Sequence, residues 1–266
     1  MEKNVNEQKK FIRFLAEGFS GYGLVIDDSA YPISGDIFGD FIVENKPYDL
    51  NNIKFLPPCQ PQKIICVGLN YAEHAAESTL AAIPEEPLLF FKPLSALIGH
   101  LDNIVMPGWV DRVDYEGELA VIIGKTLKNV SLSEAENGIF GYSCLNDVTA
   151  RNIQKKDNQW TRAKGFDTFC PIGPFIVTGI DGSNLKIETK LNGVVVQSAN
   201  TSQLIRRPAE VISFISKTMT LFPGDILATG TPKGIGPLEE GDEVEVSIEN
   251  IGVLRNGVVS ENAGNR

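Results

Sequence analysis

Two glutamates separated by one glycine, in Asp114-Tyr-Glu-Gly-Glu-Leu-Ala-Val-Ile-Ile-Gly124, carry the clearest chemical potential in this chain. The run after Glu118 is apolar and rich in branched residues, the signature of a buried strand with Glu116 and Glu118 at its mouth. Side chains at i and i+2 of a strand share a face. Like charges held together in an apolar setting repel and lose hydration, so a cation between them is the simplest reason to keep both. A third acid, Asp147, ends the short apolar stretch of Gly141-Tyr-Ser-Cys-Leu-Asn-Asp147, and a sheet can bring it to the same point. Three oxygen donors with no neighbouring Cys or His suit Mg²⁺, Mn²⁺ or Ca²⁺ better than Zn²⁺ or copper. From spacing alone the competing reading is two surface charges at a strand edge and a turn acid, because Glu-x-Glu is common on exposed strands.

His74 and Glu77 form a second constellation. Three residues apart on a predicted helix, they share a face, so the carboxylate can orient the imidazole and raise its basicity toward a water; an exposed helix pair has the same spacing. Arg151 and Gln154 follow Asp147, and Lys164 lies in Ala163-Lys-Gly-Phe-Asp-Thr-Phe-Cys-Pro171. Beside a metal, a guanidinium and an ammonium can bind a substrate carboxylate and balance the acids. Lys92, in Phe90-Phe-Lys-Pro93, is either a further anion contact or a snorkelling side chain. Thr229-Gly-Thr-Pro-Lys-Gly-Ile-Gly-Pro237 has neither P-loop order nor a dinucleotide fingerprint. It reads as a tight turn, or as a loop whose Thr231 and backbone amides line an anionic site. His100 and the four cysteines read as structural.

Around these residues the chain divides at Leu56-Pro-Pro-Cys-Gln-Pro61, a proline-rich joint between residues 1–61 and 62–266. Short strands and turns fill the first part, including Tyr22–Asp27 and Tyr31–Gly35. Lys63–Gly68 reads as a buried strand, and Asn70 with Glu73 as the capped start of a helix that Pro84 ends. Ser131 and Glu134 form a second capping box, with Gly138 or Gly141 closing that helix, and a third helix spans Pro208–Thr218 with Val211, Phe214 and Ile215 inward. Asn192-Gly193 marks a hairpin, Val244–Ile248 alternates, and Asp225–Thr229 reads as a more buried strand. Strands without regular strand-helix alternation argue against a doubly wound nucleotide-binding sheet.

Composition sets the wider bounds. A formal net charge of −10 without any basic block makes nucleic acid and anionic membrane poor partners. The polar start has no secretory pattern, no apolar run approaches a membrane span, and the scattered cysteines suggest no disulfide framework, which together point to the cytoplasm.

Six ordered motifs resemble the fumarylacetoacetate hydrolase family over about residues 62–257: Val67-Gly-Leu-Asn-Tyr-Ala-Glu-His74, Phe90-Phe-Lys-Pro93, Asp114-Tyr-Glu-Gly-Glu118, Asn146-Asp-Val-Thr-Ala-Arg151, Lys164-Gly-Phe-Asp-Thr168 and Thr229-Gly-Thr-Pro-Lys-Gly234. His74 and Glu77 match the His-x-x-Glu dyad of its acylpyruvase-like branch. The resemblance implies an α+β fold, with a mixed β-roll/β-sandwich catalytic domain, a small N-terminal α/β domain and a homodimer. It implies Glu116, Glu118 and Asp147 as ligands of Mg²⁺ or Mn²⁺, His74, Glu77 and Lys164 as catalytic residues, and Arg151, Gln154 and Thr231 as contacts to a small-molecule 2-oxo acid. A lid carrying the dyad would extend along Ser78–Glu86. The implied activity is metal-dependent hydrolysis of a C–C bond in an acylpyruvate through a metal-stabilised pyruvate enolate. Decarboxylation of oxaloacetate or a related 2-oxo dioate, and isomerisation, pass through the same enolate. A metal-stabilised binding protein is the non-enzymatic alternative, and it has no need of a water-activating dyad.

Overall fold

The computed structural model describes residues 8–77 and 84–261, with the side chains of 75–77 outside the description. A 13-stranded sheet organises it. At its centre lies Gly117–Ile123, buried at every position, which pairs antiparallel with Ile139–Asn146 on one side and Ile226–Ala228 on the other. Ile226–Ala228 pairs in turn, in parallel, with Ile64–Gly68. A strand covered on both faces is stabilised by successive apolar residues rather than by alternation. Ala120 and Ile122 accordingly enter one core with Ile64, Cys66 and Leu145. Val121 and Ile123 enter another, against Val211, Ile212 and Ile215 of the helix Pro208–Thr218.

A five-stranded sheet runs Ile104–Met106, Gly252–Ser260, Glu243–Ile248, Lys186–Leu191 and Val194–Asn200. Asn192 and Gly193 join the last two strands with φ of 51° and 78°, the paired positive values that a two-residue hairpin turn requires. Leu119, Ile187, Val246 and Ile248 fill the core shared by the two sheets.

Pro208–Thr218 starts on its proline and ends where the pattern places it, but its inward residues are Val211, Ile212 and Ile215, with Phe214 only half-buried. The Ser131–Glu134 capping box is formed, and its helix Leu132–Glu136 closes at Asn137. Asn70 departs from expectation. Instead of capping the helix Ala72–Glu77, its buried amide donates to the carbonyls of Arg206 and Thr229 and accepts from the Arg206 N–H, while Glu73 pairs with Lys233. A buried amide must satisfy both donors and its acceptor, and two crossing loops do so where one helix end does not.

The N-terminal part also differs from the expected α/β domain. Among the described residues up to Pro61 it contains strands and one 3₁₀ turn, Leu50–Asn52, with no α-helix. Its first strand, Lys9–Ala16, pairs with Cys170–Thr178, so these strands extend the large sheet. Glycine, proline and Asp-Asp turns keep each strand short, leaving no run long enough for a helix to nucleate. His100 is structural: its Nδ1 accepts the Arg255 N–H at 3.0 Å and its ring meets Phe55 edge-on. All four cysteines are buried free thiols. Among the described residues no helix is long and apolar enough to cross a membrane.

Candidate metal centre and active site

Glu116 links the strands Val113–Tyr115 and Gly117–Ile123, and Glu118 lies two residues on. Asp147 arrives by strand pairing. Because Gly117 stands opposite Asn146, the turn after Ile139–Asn146 sets Asp147 beside Glu116, and the Asp147 N–H donates to the Glu116 carbonyl at 2.8 Å. One donor atom from each of the three buried carboxylates lies within 4.8 Å of the others. Glycine between the glutamates is a steric necessity, since a Cβ on Gly117 would stand 2.1 Å from Thr189 Oγ1. Gly117→Ala is therefore expected to destabilise the fold by about 1–3 kcal/mol, the usual cost of overpacking, and to lower metal affinity with it. Thermal unfolding with and without Mn²⁺ checks both effects.

Cations interleave with the acids. Lys164 Nζ lies 2.8 Å from Glu116 Oε2 and 2.5 Å from Asp147 Oδ2. Arg151 Nε donates to Asp114 Oδ2 at 2.8 Å, while its two terminal nitrogens donate to Gln154 and Glu116. Lys92, itself buried, donates to the carbonyls of Val148 and Lys164 and approaches Asp147 Oδ1 to 2.6 Å. Burial alone would push the Glu116 carboxyl up, but Lys164 and Arg151 together hold it well below the usual carboxylate range. Burial, reinforced by Asp147 and Glu116, pushes Glu118 well above that range.

The asymmetry tests whether a cation fits. Glu118 has a 2.7 Å hydrogen bond from the Gly230 N–H and no ion pair among the described residues. Asp147 Oδ1 is buried and accepts no aligned hydrogen bond, although Lys92 stands close. Oxygens of three buried carboxylates thus lie close together, with Glu118 lacking a cationic partner among the described residues, and hard oxygen donors of this kind fit Mg²⁺ or Mn²⁺.

These acids floor a cavity of about 620 Å³ whose walls include His74, Arg151, Gln154, Lys164 and Thr231. The helix Arg151–Lys156 presents Arg151, Gln154 and Lys155 to it at spacings i, i+3 and i+4, one face of a helix. Phe90 and Trp160, in edge contact at 5.2 Å, add an aromatic wall. Eight of the nine residues singled out from the sequence therefore meet at one cavity. The ninth, Glu77, has its side chain outside the described residues, as does most of the expected lid, residues 78–83. Sequence reasoning missed Asp114 and Lys155, which also line the cavity, and left Lys92 undecided. Lys92 carried a usable signal, a lysine inside an otherwise apolar Phe-Phe-Lys-Pro strand; Asp114 and Lys155 look like solvated charges until neighbouring elements are placed.

The fumarylacetoacetate (FAA) hydrolase C-terminal family matches residues 63–259, and an Rv2993c-like N-terminal family matches residues 9–58. A mitochondrial oxaloacetate tautomerase of Bos taurus is 44% identical over 222 residues, 79% of this chain and 70% of its own. The crystal structure of a 2-hydroxyhepta-2,4-diene-1,7-dioate isomerase from Mycobacterium marinum superimposes with a TM-score of 0.89 at 39% identity, covering 95% of this chain and 99% of that one. A maleylpyruvate hydrolase from Sphingobium sp. SYK-6, in complex with manganese (II) ion and pyruvate, gives 0.78 at 30% identity, covering 94% and 99%.

Proposed function

We propose, on the premise that this chain belongs to the fumarylacetoacetate hydrolase family, that it is a divalent-metal-dependent enzyme of small 2-oxo acids whose reaction is proton transfer: keto–enol tautomerisation, or the allied double-bond isomerisation, of a 2-oxo dioate. One observation carries the reading. At the cavity floor the Lys164 ammonium bridges Glu116 and Asp147 beside the Arg151 guanidinium. Acids able to hold a cation thus alternate with cations able to hold an anion. A 2-oxo acid, with a carboxylate next to a keto oxygen, needs both.

Glu116, Glu118 and Asp147 are the residues to hold Mg²⁺ or Mn²⁺, which when bound supplies positive charge that favours the enol form of a 2-oxo acid. Arg151 uses three of its five N–H groups on Asp114, Gln154 and Glu116, leaving two for the substrate carboxylate. Gln154 and Thr231 flank that carboxylate. Lys164 has one N–H beyond its two ion pairs, and this N–H holds a proton at the keto oxygen, where negative charge develops as the enol forms. His74, buried in the cavity wall, takes the proton from the adjacent carbon while Lys164 gives one to the keto oxygen, and the two opposite transfers carry the enol back to the keto form.

The distal carboxylate of a dioate falls to Lys155. It sits one helical turn from Arg151, roughly 6 Å along the axis, is exposed, and has no ion pair among the described residues. Lys155→Ala is expected to raise the KM for oxaloacetate roughly three- to tenfold while leaving the affinity for oxalate, which has no distal group, unchanged. An equal loss for both ligands would remove Lys155 from the substrate's distal end.

Proton transfer ranks ahead of hydrolysis because the tautomerase and the isomerase stand at 44% and 39% identity, the maleylpyruvate hydrolase at 30%. Hydrolysis of an acylpyruvate, which the sequence motifs imply, is the second reading. It is favoured by the pyruvate bound in that hydrolase, the product of such a cleavage, and requires His74 with Glu77 to direct water at the acyl carbon. Product analysis separates the two. Metal-loaded protein given enol-oxaloacetate and, separately, acetylpyruvate is expected to speed enol loss without accelerating CO₂ release; acetate and pyruvate from acetylpyruvate would establish the hydrolase instead, and no turnover of either substrate would contradict both.

A further inference from the structure

Gln197 lies buried in Val194–Asn200, on the five-stranded sheet rather than on the sheet that carries the carboxylates. Its amide nonetheless joins two walls of the site. Oε1 accepts the N–H of Gly117, the residue between the two glutamates, at 3.0 Å, and Nε2 donates to Thr231 Oγ1 and to the Pro232 carbonyl, each at 2.9 Å. These partners fix the amide's orientation. A backbone N–H only donates and a carbonyl only accepts, so the oxygen must face Gly117 and the nitrogen must face Pro232. Packing holds the same arrangement: a Cβ on Gly117 would come to 3.3 Å from Gln197 Oε1, and one on Gly234 to 2.4 Å from the Val196 carbonyl. Gln197 is thus clamped between the strand of the carboxylates and the loop of Thr231.

The consequence falls on the Thr231 hydroxyl. Its oxygen already receives an N–H from Gln197, so its own proton must point to a different acceptor, and Thr231 lines the cavity. We propose that Gln197 is a positioning residue that turns the Thr231 hydroxyl into a hydrogen-bond donor aimed at an anionic oxygen of the bound 2-oxo acid. With one lone pair taken by the Gln197 N–H, the hydroxyl proton is turned away from Gln197 and is left to donate to another acceptor, which favours a carboxylate oxygen there. The inference rests on the reading of Thr231 as a substrate contact.

Gln197→Glu reverses the arrangement. The new carboxylate still accepts the Gly117 N–H but has nothing to donate to Thr231, so the hydroxyl turns back to donate to it. Oxalate binding in the presence of Mn²⁺, measured by calorimetry on the full chain, is the readout, compared across the parent, Thr231→Val, Gln197→Glu and the double variant. Thr231→Val is expected to weaken oxalate about tenfold in the parent and less than about twofold in the Gln197→Glu background, because there the donor is already lost. Equal fold losses in both backgrounds would overturn the proposal, since a glutamine that merely held the fold would lower affinity without changing the Thr231→Val ratio. No loss on Thr231→Val in the parent would instead reject Thr231 as a substrate contact and the proposal with it. Should Gln197→Glu not fold, as judged by circular dichroism, Gln197→Met gives the same test. It frees the hydroxyl to bond the abandoned Pro232 carbonyl, so the Thr231→Val ratio is expected to shrink, and an unchanged ratio overturns the proposal.

Discussion

Asp147→Ala is expected to abolish metal-dependent turnover and to weaken Mn²⁺ binding by at least about a hundredfold, beyond what loss of an outer-sphere partner usually costs. Asp147 offers one of three buried carboxylates and faces two buried lysines, Lys92 and Lys164. Removing it leaves both ammonium groups short of a counter-charge in the interior, a change that commonly costs about 3–5 kcal/mol. The variant is therefore expected to lose stability as well as activity, and Asp147→Asn serves as the shape-conserving control. Calorimetric titration with Mn²⁺ and thermal unfolding with and without it check the result. The parent's Tm should rise with Mn²⁺ and the variant's should not. Full turnover in Asp147→Asn would refute the assignment of this carboxylate to the metal.

Lys164→Met is expected to cut turnover about a thousandfold, within the range for loss of a positioned proton donor, while leaving Mn²⁺ affinity intact or higher. In this structure Lys164 occupies oxygens of Glu116 and Asp147 that a cation would share. Without the ammonium those oxygens gain negative potential, which favours a divalent ion and disfavours the metal-free fold. The expected signature is opposite movement: lower Tm without metal, recovery with Mn²⁺, and little activity in either state. A parallel loss of metal affinity and turnover would mean that Lys164 serves chiefly to hold the carboxylates in place. Lys164→Arg is not expected to rescue, because a planar guanidinium does not fit the point between two carboxylates that a compact ammonium fills.

These expectations draw unequally on sequence and structure. The buried strand Gly117–Ile123, the Asn192-Gly193 hairpin and the helix Pro208–Thr218 were legible because pattern and local propensity agree in each. The Glu-Gly-Glu pair was legible for a similar reason: it is chemically odd at the start of an apolar run. Asp147 depends on strand pairing, which local pattern leaves open and the Gly117–Asn146 register supplies. Asn70 misled because its residue type signals a cap, whereas its long-range partners at Arg206 and Thr229 determine its role. Gln197 was invisible for the same cause. In sequence it is one polar residue after three valines, and its three hydrogen bonds reach residues 34 to 80 positions away. Local pattern reveals elements, but the walls of this cavity come from strands, short helices and loops far apart in the chain, and Gln197 reaches two of them from the other sheet, contacts that leave no local trace.

The most direct measurement follows the ultraviolet absorbance of enol-oxaloacetate with metal-stripped protein, before and after addition of Mg²⁺ or Mn²⁺, against the same metal without protein. The expected result is a protein- and metal-dependent acceleration of enol loss that chelation reverses and that Asp147→Asn lacks. Enol loss at the protein-free rate under every metal condition would contradict the proton-transfer reading, and acceleration that survives both chelation and Asp147→Asn would contradict the role given to the carboxylates.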